Sequence, residues 1–124
     1  MARTILIVDD SATMLLSVKT TLEMNGFRVE TANDGVKALD KLKGGMKPDL
    51  IITDINMPNM GGVDLIRNTR ALPGLRFLPI LTLTTESQAA KREEGRKAGA
   101  TGWLVKPVQG PDLIRVIKQV LPGA

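Results

Sequence analysis

The sequence has no cysteine and no histidine. The first absence excludes disulfide frameworks, thiolate zinc sites and cysteine nucleophiles. The second excludes a Ser-His-Asp triad and imidazole metal sites. Any chemistry must run on carboxylates, hydroxyls and lysine. Aromatic residues are scarce: Phe27, Phe77 and Trp103 are the whole set. Ile, Leu, Val and Met must therefore fill the core, and a base-stacking platform for nucleic acid is out of reach. Long apolar runs are missing too. The first, Ile5 to Val8, is stopped by Asp9 and Asp10, far short of a secretory signal or a membrane span. A cytoplasmic protein without membrane contact is the expectation.

What is present suits one domain. The 124 residues are 43% hydrophobic and 24% charged, within reach of ordinary globular composition. A chain of this size buries roughly two-thirds of its unfolded surface and needs no staple. The net charge of +4 is unevenly placed: residues 1–62 carry 7 basic and 8 acidic groups, residues 63–124 carry 10 and 5. No arginine-rich block accompanies the excess, so a solvated basic face is the plainer reading. A protein partner with an acidic patch comes next, ahead of nucleic acid.

Two periodicities alternate along the chain. Short apolar runs at Ile5–Val8, Phe27–Val29, Leu50–Ile52, Ile80–Leu83 and Trp103–Val105 read as strands. Between them apolar residues recur every three or four positions. Met14, Leu15, Val18 and Leu22 form one helix face; Val36, Leu39 and Leu42 a second; Val63, Ile66 and Leu72 a third; Leu113, Ile114, Ile117 and Leu121 the last. Residues 87–98 make a weaker helix, with Gly95 inside it at a cost of about 1 kcal/mol relative to alanine. Asn25-Gly26, Gly44-Gly45 and Gly99 supply helix stops, and Pro111 suits a helix start. Strict alternation predicts an α/β fold: a doubly wound, five-stranded parallel sheet with five helices.

In such a sheet every strand ends on the same edge, where ligands bind. Asp9 and Asp10 follow the first run, Asp54 the third, Thr84 and Thr85 the fourth, and Lys106 the fifth. Taken singly each has a plain role: Asp10 or Ser11 as a helix cap, Asp54 as a turn residue, Lys106 as a solvated charge. Taken together they place three carboxylates, two hydroxyls and an ammonium around one crevice. Clustered carboxylates repel and call for a cation. Oxygen-only ligands suit a hard ion, Mg²⁺ or Mn²⁺. A carboxylate can also attack phosphorus directly, giving an aspartyl phosphate. Asp54, alone on the central run, is the expected nucleophile, and the adjacent Asp9-Asp10 pair is better suited to metal.

The segments Ile-Leu-Ile-Val-Asp9-Asp10-Ser11, Asp54-Ile-Asn56-Met57-Pro58, Leu83-Thr84-Thr85-Glu86 and Trp103-Leu-Val-Lys106-Pro107 together resemble the response-regulator receiver domain. The resemblance spans the whole chain, implying one receiver domain over 1–124 with no separate output domain, and is nearest to the stand-alone chemotaxis members. It implies strand order 2-1-3-4-5. It makes Asp54 the phosphoacceptor and makes Asp10, Asp54 and the main-chain carbonyl of Asn56 metal ligands, with Asp9 acting through water. Lys106 would bind the phosphoryl group, Thr84 would shift toward it, and Trp103 would respond as the aromatic switch. Asn56 and Glu86 would tune self-dephosphorylation, and Lys106-Pro107 is often cis in the family. Three positions depart from the family pattern. Thr85 replaces alanine or glycine and tightens the pocket, Trp103 replaces tyrosine or phenylalanine, and Val108 replaces phenylalanine.

The function so implied is a phosphorylation-activated, non-enzymatic signalling switch that assists its own phosphorylation and dephosphorylation. A histidine kinase or phosphotransfer domain would be the donor. The face made by the fourth helix, fifth strand and fifth helix would bind a target such as a flagellar or pilus motor component. A monomer is expected. The alternatives are a phosphate sink or shuttle and, further off, a phosphatase of the haloacid dehalogenase type. The latter class puts its nucleophile in an Asp-x-Asp motif after the first strand, where this chain has Asp9-Asp10.

Overall fold

A computed structural model describes residues 3–85 and 88–122. The elements run β1 (Thr4–Val8), α1 (Ala12–Met24), β2 (Arg28–Ala32), α2 (Gly35–Lys43), β3 (Leu50–Asp54), α3 (Gly62–Arg70), β4 (Ile80–Thr84), α4 (Ala89–Ala98), β5 (Gly102–Val105) and α5 (Gly110–Val120). All neighbouring strands pair in parallel, in the order β2-β1-β3-β4-β5. The sheet therefore grows from β1 in both directions, and its topological switch point lies between β1 and β3.

The apolar runs sort themselves by residue parity, because successive side chains in a strand point to opposite faces. Ile5, Ile7, Leu50, Ile52, Leu81 and Leu83 face α1 and α5, where they meet Val18, Leu22, Leu113 and Ile117. Leu6, Val8, Ile51 and Ile80 face the other way, onto Ala38, Leu39 and Leu42 of α2 and Leu65 and Ile66 of α3. Both faces of β1, β3 and β4 are covered, which is why β1 and the start of β3 read as unbroken apolar runs and why Thr82 inside β4 is buried.

The edge strand β2 departs from that pattern and from the expected span. It begins at Arg28, one residue later than expected, and continues to Ala32. Arg28 and Glu30 point to solvent while Val29 and Thr31 are half-buried, so alternation hides the strand from a search for apolar runs. Leu72 lies beyond the end of α3, whose buried face is Leu65, Ile66 and Thr69. Val36 stays 40% exposed and Ala38 takes its place in the core.

Helix α4 buries only Gly95 among its ten residues. A β-carbon at that position would lie 3.4 Å from Thr82 Cγ2 and 3.8 Å from Ile55 Cδ1. These are ordinary van der Waals separations, so the helix's approach to the sheet leaves room for a β-carbon and does not depend on the glycine. At its far end α4 is tied down by Arg70, whose guanidinium donates to the carbonyls of Gly99, Leu75 and Leu78. Among the described residues no helix is long and apolar enough to cross a membrane.

Candidate functional site

The carboxyl ends of β1, β3 and β5 converge at the switch point. Ser11, not Asp10, caps α1: its hydroxyl accepts from Met14 N–H at 3.2 Å. The reason lies one residue earlier. Asp9 is fully buried, and its Oδ1 accepts the Ser11 N–H at 2.9 Å. Asp10 is left exposed beside the crevice. Asp54 closes β3 at 7% exposure, with Oδ1 accepting the Ile55 N–H at 2.8 Å. Asp9, Asp10 and Asp54 each offer a carboxylate oxygen within 4.8 Å of the others.

Lys106, just past β5, reaches in between them. Its Nζ lies 3.1 Å from Asp9 Oδ2 and 3.3 Å from Asp54 Oδ2. Burial alone works against this ammonium, but its pairing with Asp9 and Asp54 prevails and raises its pKa above the ordinary lysine value. Burial also pushes the Asp54 carboxyl upward; Lys106 opposes that shift and the nearby Asp9 charge adds to it. Among the described residues Lys106 is the cation paired within this cluster of three acids, and the site is electrostatically short of positive charge.

That shortage, with the donor chemistry, is the test of fit for a divalent ion. Asp9 Oδ2 is buried and receives no hydrogen bond; Lys106 sits at ion-pair distance but off hydrogen-bond direction. The donor set is entirely oxygen, with Asp10 open to solvent, as suits a hard cation that keeps part of its water shell. Asp9, Asp10 and Asp54 therefore fit Mg²⁺. Receiver domains bind Mg²⁺ in an acidic pocket of this kind.

The other expected residues within the described part of the chain differ in depth. Thr84, fully buried at the end of β4, directs its hydroxyl to the Leu104 carbonyl at 3.5 Å, and its own carbonyl accepts Lys106 N–H at 2.7 Å. Thr85 is exposed, with its N–H donating to Gln88 Oε1 at 2.7 Å. Asn56 is exposed two residues past Asp54. Trp103 is 50% exposed on edge strand β5, with the Arg92 guanidinium 5.4 Å from its ring centroid. Glu86 lies outside the described residues. The Lys106-Pro107 bond is cis. Arg92 was not visible as a site neighbour in the sequence: its contact with Trp103 joins α4 to β5, and no local pattern signals it.

A doubly wound sheet with an acid triad and a lysine at its switch point places this protein among α/β proteins able to accept a phosphoryl group on a carboxylate. The chain belongs to the response regulator receiver domain family, which it matches over residues 5–118. It is 45% identical over 104 residues to chemotaxis protein CheY-3 of Vibrio cholerae, covering 83% of this chain and 79% of that one. It is 38% identical over 120 residues to chemotaxis protein CheY1 of Helicobacter pylori, covering 96% of each. Among solved structures it is similar to chemotaxis response regulator CheY4 of Vibrio cholerae, with a TM-score of 0.91 and 42% identity over 97% of this chain and 99% of that one. It is therefore a CheY-like receiver domain. Domains of this type interact with histidine kinases and with downstream targets.

Proposed function

We propose that residues 1–124 act as a single receiver unit in the cytoplasm, accepting a phosphoryl group on Asp54 from a histidine kinase or its phosphotransfer domain. The observation that carries this reading is the Lys106 ammonium held between the Asp9 and Asp54 carboxylates at the sheet's switch point. Asp54 Oδ2 would attack the phosphorus of a phosphohistidine. The new O–P bond forms as the P–N bond breaks, and the electron pair leaves with the imidazole nitrogen, which takes up a proton. Lys106 would turn from the carboxylates to the phosphoryl oxygens, and Asp9, Asp10, Asp54 and the Asn56 carbonyl would hold Mg²⁺ or Mn²⁺. The ion would supply positive charge to the phosphoryl oxygens in transfer. Thr84 would exchange its long hydrogen bond to Leu104 for one to the phosphoryl group, with Thr85, Asn56 and Glu86 setting access for the water that reverses the reaction.

The output surface in this reading is the α4–β5–α5 face, with Trp103 as its aromatic element. A groove of about 220 Å³ beside it is lined by Val105, Pro107, Gln109, Asp112, Arg115 and Val116. Arg92 and Arg96 flank Trp103 on the α4 side. Arg96 and Arg115 are paired with Glu93 and Asp112, so it is Arg92, over the Trp103 ring, that would offer positive charge to a target segment with acidic and apolar residues, such as one from a flagellar or pilus motor.

The test is intact mass after incubation with Mg²⁺ and acetyl phosphate. One phosphate should add, be lost to hydroxylamine as an acyl phosphate is, and be absent from Asp54→Ala. Label persisting in that variant would place the acceptor elsewhere.

A further inference from the structure

The loop between β3 and α3, residues 55–61, carries Asn56 and is fixed from two sides. Its ends are joined to each other by Gly62 N–H donating to the Ile55 carbonyl at 2.8 Å. Its tip is joined to another element altogether. Asn59 Nδ2 donates to Asp34 Oδ2 at 2.9 Å, and Gly35 N–H donates to the Met60 carbonyl at 3.1 Å. Asp34 is the N-cap of α2: its other oxygen accepts Lys37 N–H at 2.8 Å, and only 5% of its surface is exposed. Both carboxylate oxygens are thus committed, one to the helix and one to the loop. Asn59 meets this partner with a backbone φ of 67°, left-handed territory that asparagine tolerates better than most residues.

We infer that the Asn59–Asp34 hydrogen bond is a positioning contact for the phosphoacceptor site, holding the loop so that the Asn56 carbonyl is presented beside Asp54 before any cation arrives. The inference rests on the reading of Asp54 and Asn56 just given. The physical reason is entropic. A loop free to sample other conformations must lose that freedom when it ligates an ion; a loop stapled to the start of a packed helix has lost it already. Asn59 and Asp34 touch neither phosphorus nor metal in this scheme. They act through the backbone between residues 56 and 60, as outer partners do when they orient a ligand.

Asn59→Gly separates this role from folding. Glycine adopts the left-handed conformation freely and Asp34 keeps its bond to Lys37, but its Oδ2 loses a partner, so the melting temperature is expected to fall modestly while the fold is kept. Magnesium affinity by titration calorimetry should fall on the order of ten-fold, and amide exchange across residues 55–61 should quicken in cation-free buffer. Combining Asp34→Asn with Asn59→Asp swaps the acceptor and donor sides, keeps an oxygen for Lys37, and should restore both quantities. Parent-like exchange and Mg²⁺ affinity in Asn59→Gly would overturn the inference. So would a parallel loss of stability and affinity that the exchanged pair fails to rescue. If the parent chain itself bound no Mg²⁺ and took no phosphoryl group, the assignment of the site would fall. The exchange data, read without cation, would still decide whether the staple holds the loop.

Discussion

Replacing Lys106 by methionine removes the cation that, among the described residues, pairs with the acid cluster, while keeping a stem of similar length. Its Nζ sits 3.1 Å and 3.3 Å from two carboxylate oxygens, each contact worth about 5 kcal/mol of attraction at an effective dielectric constant of ~20. Much of that gross attraction is offset by the cost of taking the ammonium out of water. Breaking a buried ion pair from one side typically costs about 3–5 kcal/mol, because the other charge is left behind. Here the lysine side chain keeps 26% of its exposure, and methionine preserves the packing of the stem, so a loss of about 2–3 kcal/mol is expected. For a domain of this size that corresponds to a melting temperature lowered by roughly 6–15 °C.

The assay is thermal unfolding in buffer stripped of divalent cations, repeated across pH and then with added Mg²⁺. Without Lys106 the Asp54 carboxyl is held further above its ordinary value, since burial and Asp9 are then opposed by the Ile55 N–H alone. A carboxyl whose folded pKa is raised binds its proton more tightly in the native state, so stability falls as pH rises from the unfolded pKa through the folded one. The deficit of Lys106→Met should therefore widen with rising pH. Magnesium should stabilise the variant more than the parent, because the ion no longer meets a competing ammonium beside the same oxygens. A variant as stable as the parent without cations, or one that gains less from Mg²⁺, would show that Lys106 does not balance this cluster.

Other substitutions probe the site's surroundings. Asp54→Asn keeps an acceptor for Ile55 N–H and removes the raised carboxyl, so the protein should melt at an equal or higher temperature near neutral pH and lose part of the stability decline that begins above the ordinary value of 3.8; a lower melting temperature throughout would contradict that. Gly62→Ala drives a β-carbon into the Asp54 carbonyl oxygen and places it 3.0 Å from Ile55 Cα, both backbone, and should cost about 2–3 kcal/mol or more in urea unfolding; a change within about 0.5 kcal/mol would mean the loop yields. Thr84→Ala should leave acetyl phosphate labelling of Asp54 in place while abolishing any phosphorylation-dependent change in Trp103 fluorescence, and a surviving change would route the signal elsewhere.

The parts of this molecule legible from sequence are those whose signal is local or follows from parity. Strands β1, β3 and β4 announce themselves because both faces are buried, and the rule that parallel strands end on one edge gathers Asp9, Asp10, Asp54 and Lys106 without any coordinates. Strand β2 is shifted because Arg28 and Glu30 alternate outward on an edge. The choice between Asp10 and Ser11 as helix cap could not be made from residue type, since both cap well. It is settled by Asp9, which takes the Ser11 N–H. The Asn59–Asp34 bond spans 25 residues and the Arg70–Gly99 clamp 29. Neither has a periodic or motif signature, because each depends on how α2, α3 and α4 come to lie side by side.

The proposed switch also has a physical asymmetry on which its working depends. The acids stand at the carboxyl ends of β1 and β3, strands whose side chains are buried on both faces, so the place where charge would arrive is rigid. The elements that would respond have little to hold them. Thr84 is attached to Leu104 by a bond at the outer limit of hydrogen-bond length, Trp103 is half in solvent, and α4 buries only Gly95. A phosphoryl group shifts such an equilibrium only by the difference in its affinity for the two arrangements. That difference is of order one or two hydrogen bonds, about 1–3 kcal/mol each when one partner is charged. Against a helix with a full apolar face this would move nothing, since burying one leucine is worth as much. Against α4, tied at its Gly99 end by Arg70, it would suffice. In the proposed switch, the poor packing of α4 is what would make a single phosphoryl group an adequate signal, and filling that interface should mute the response while leaving phosphorylation intact.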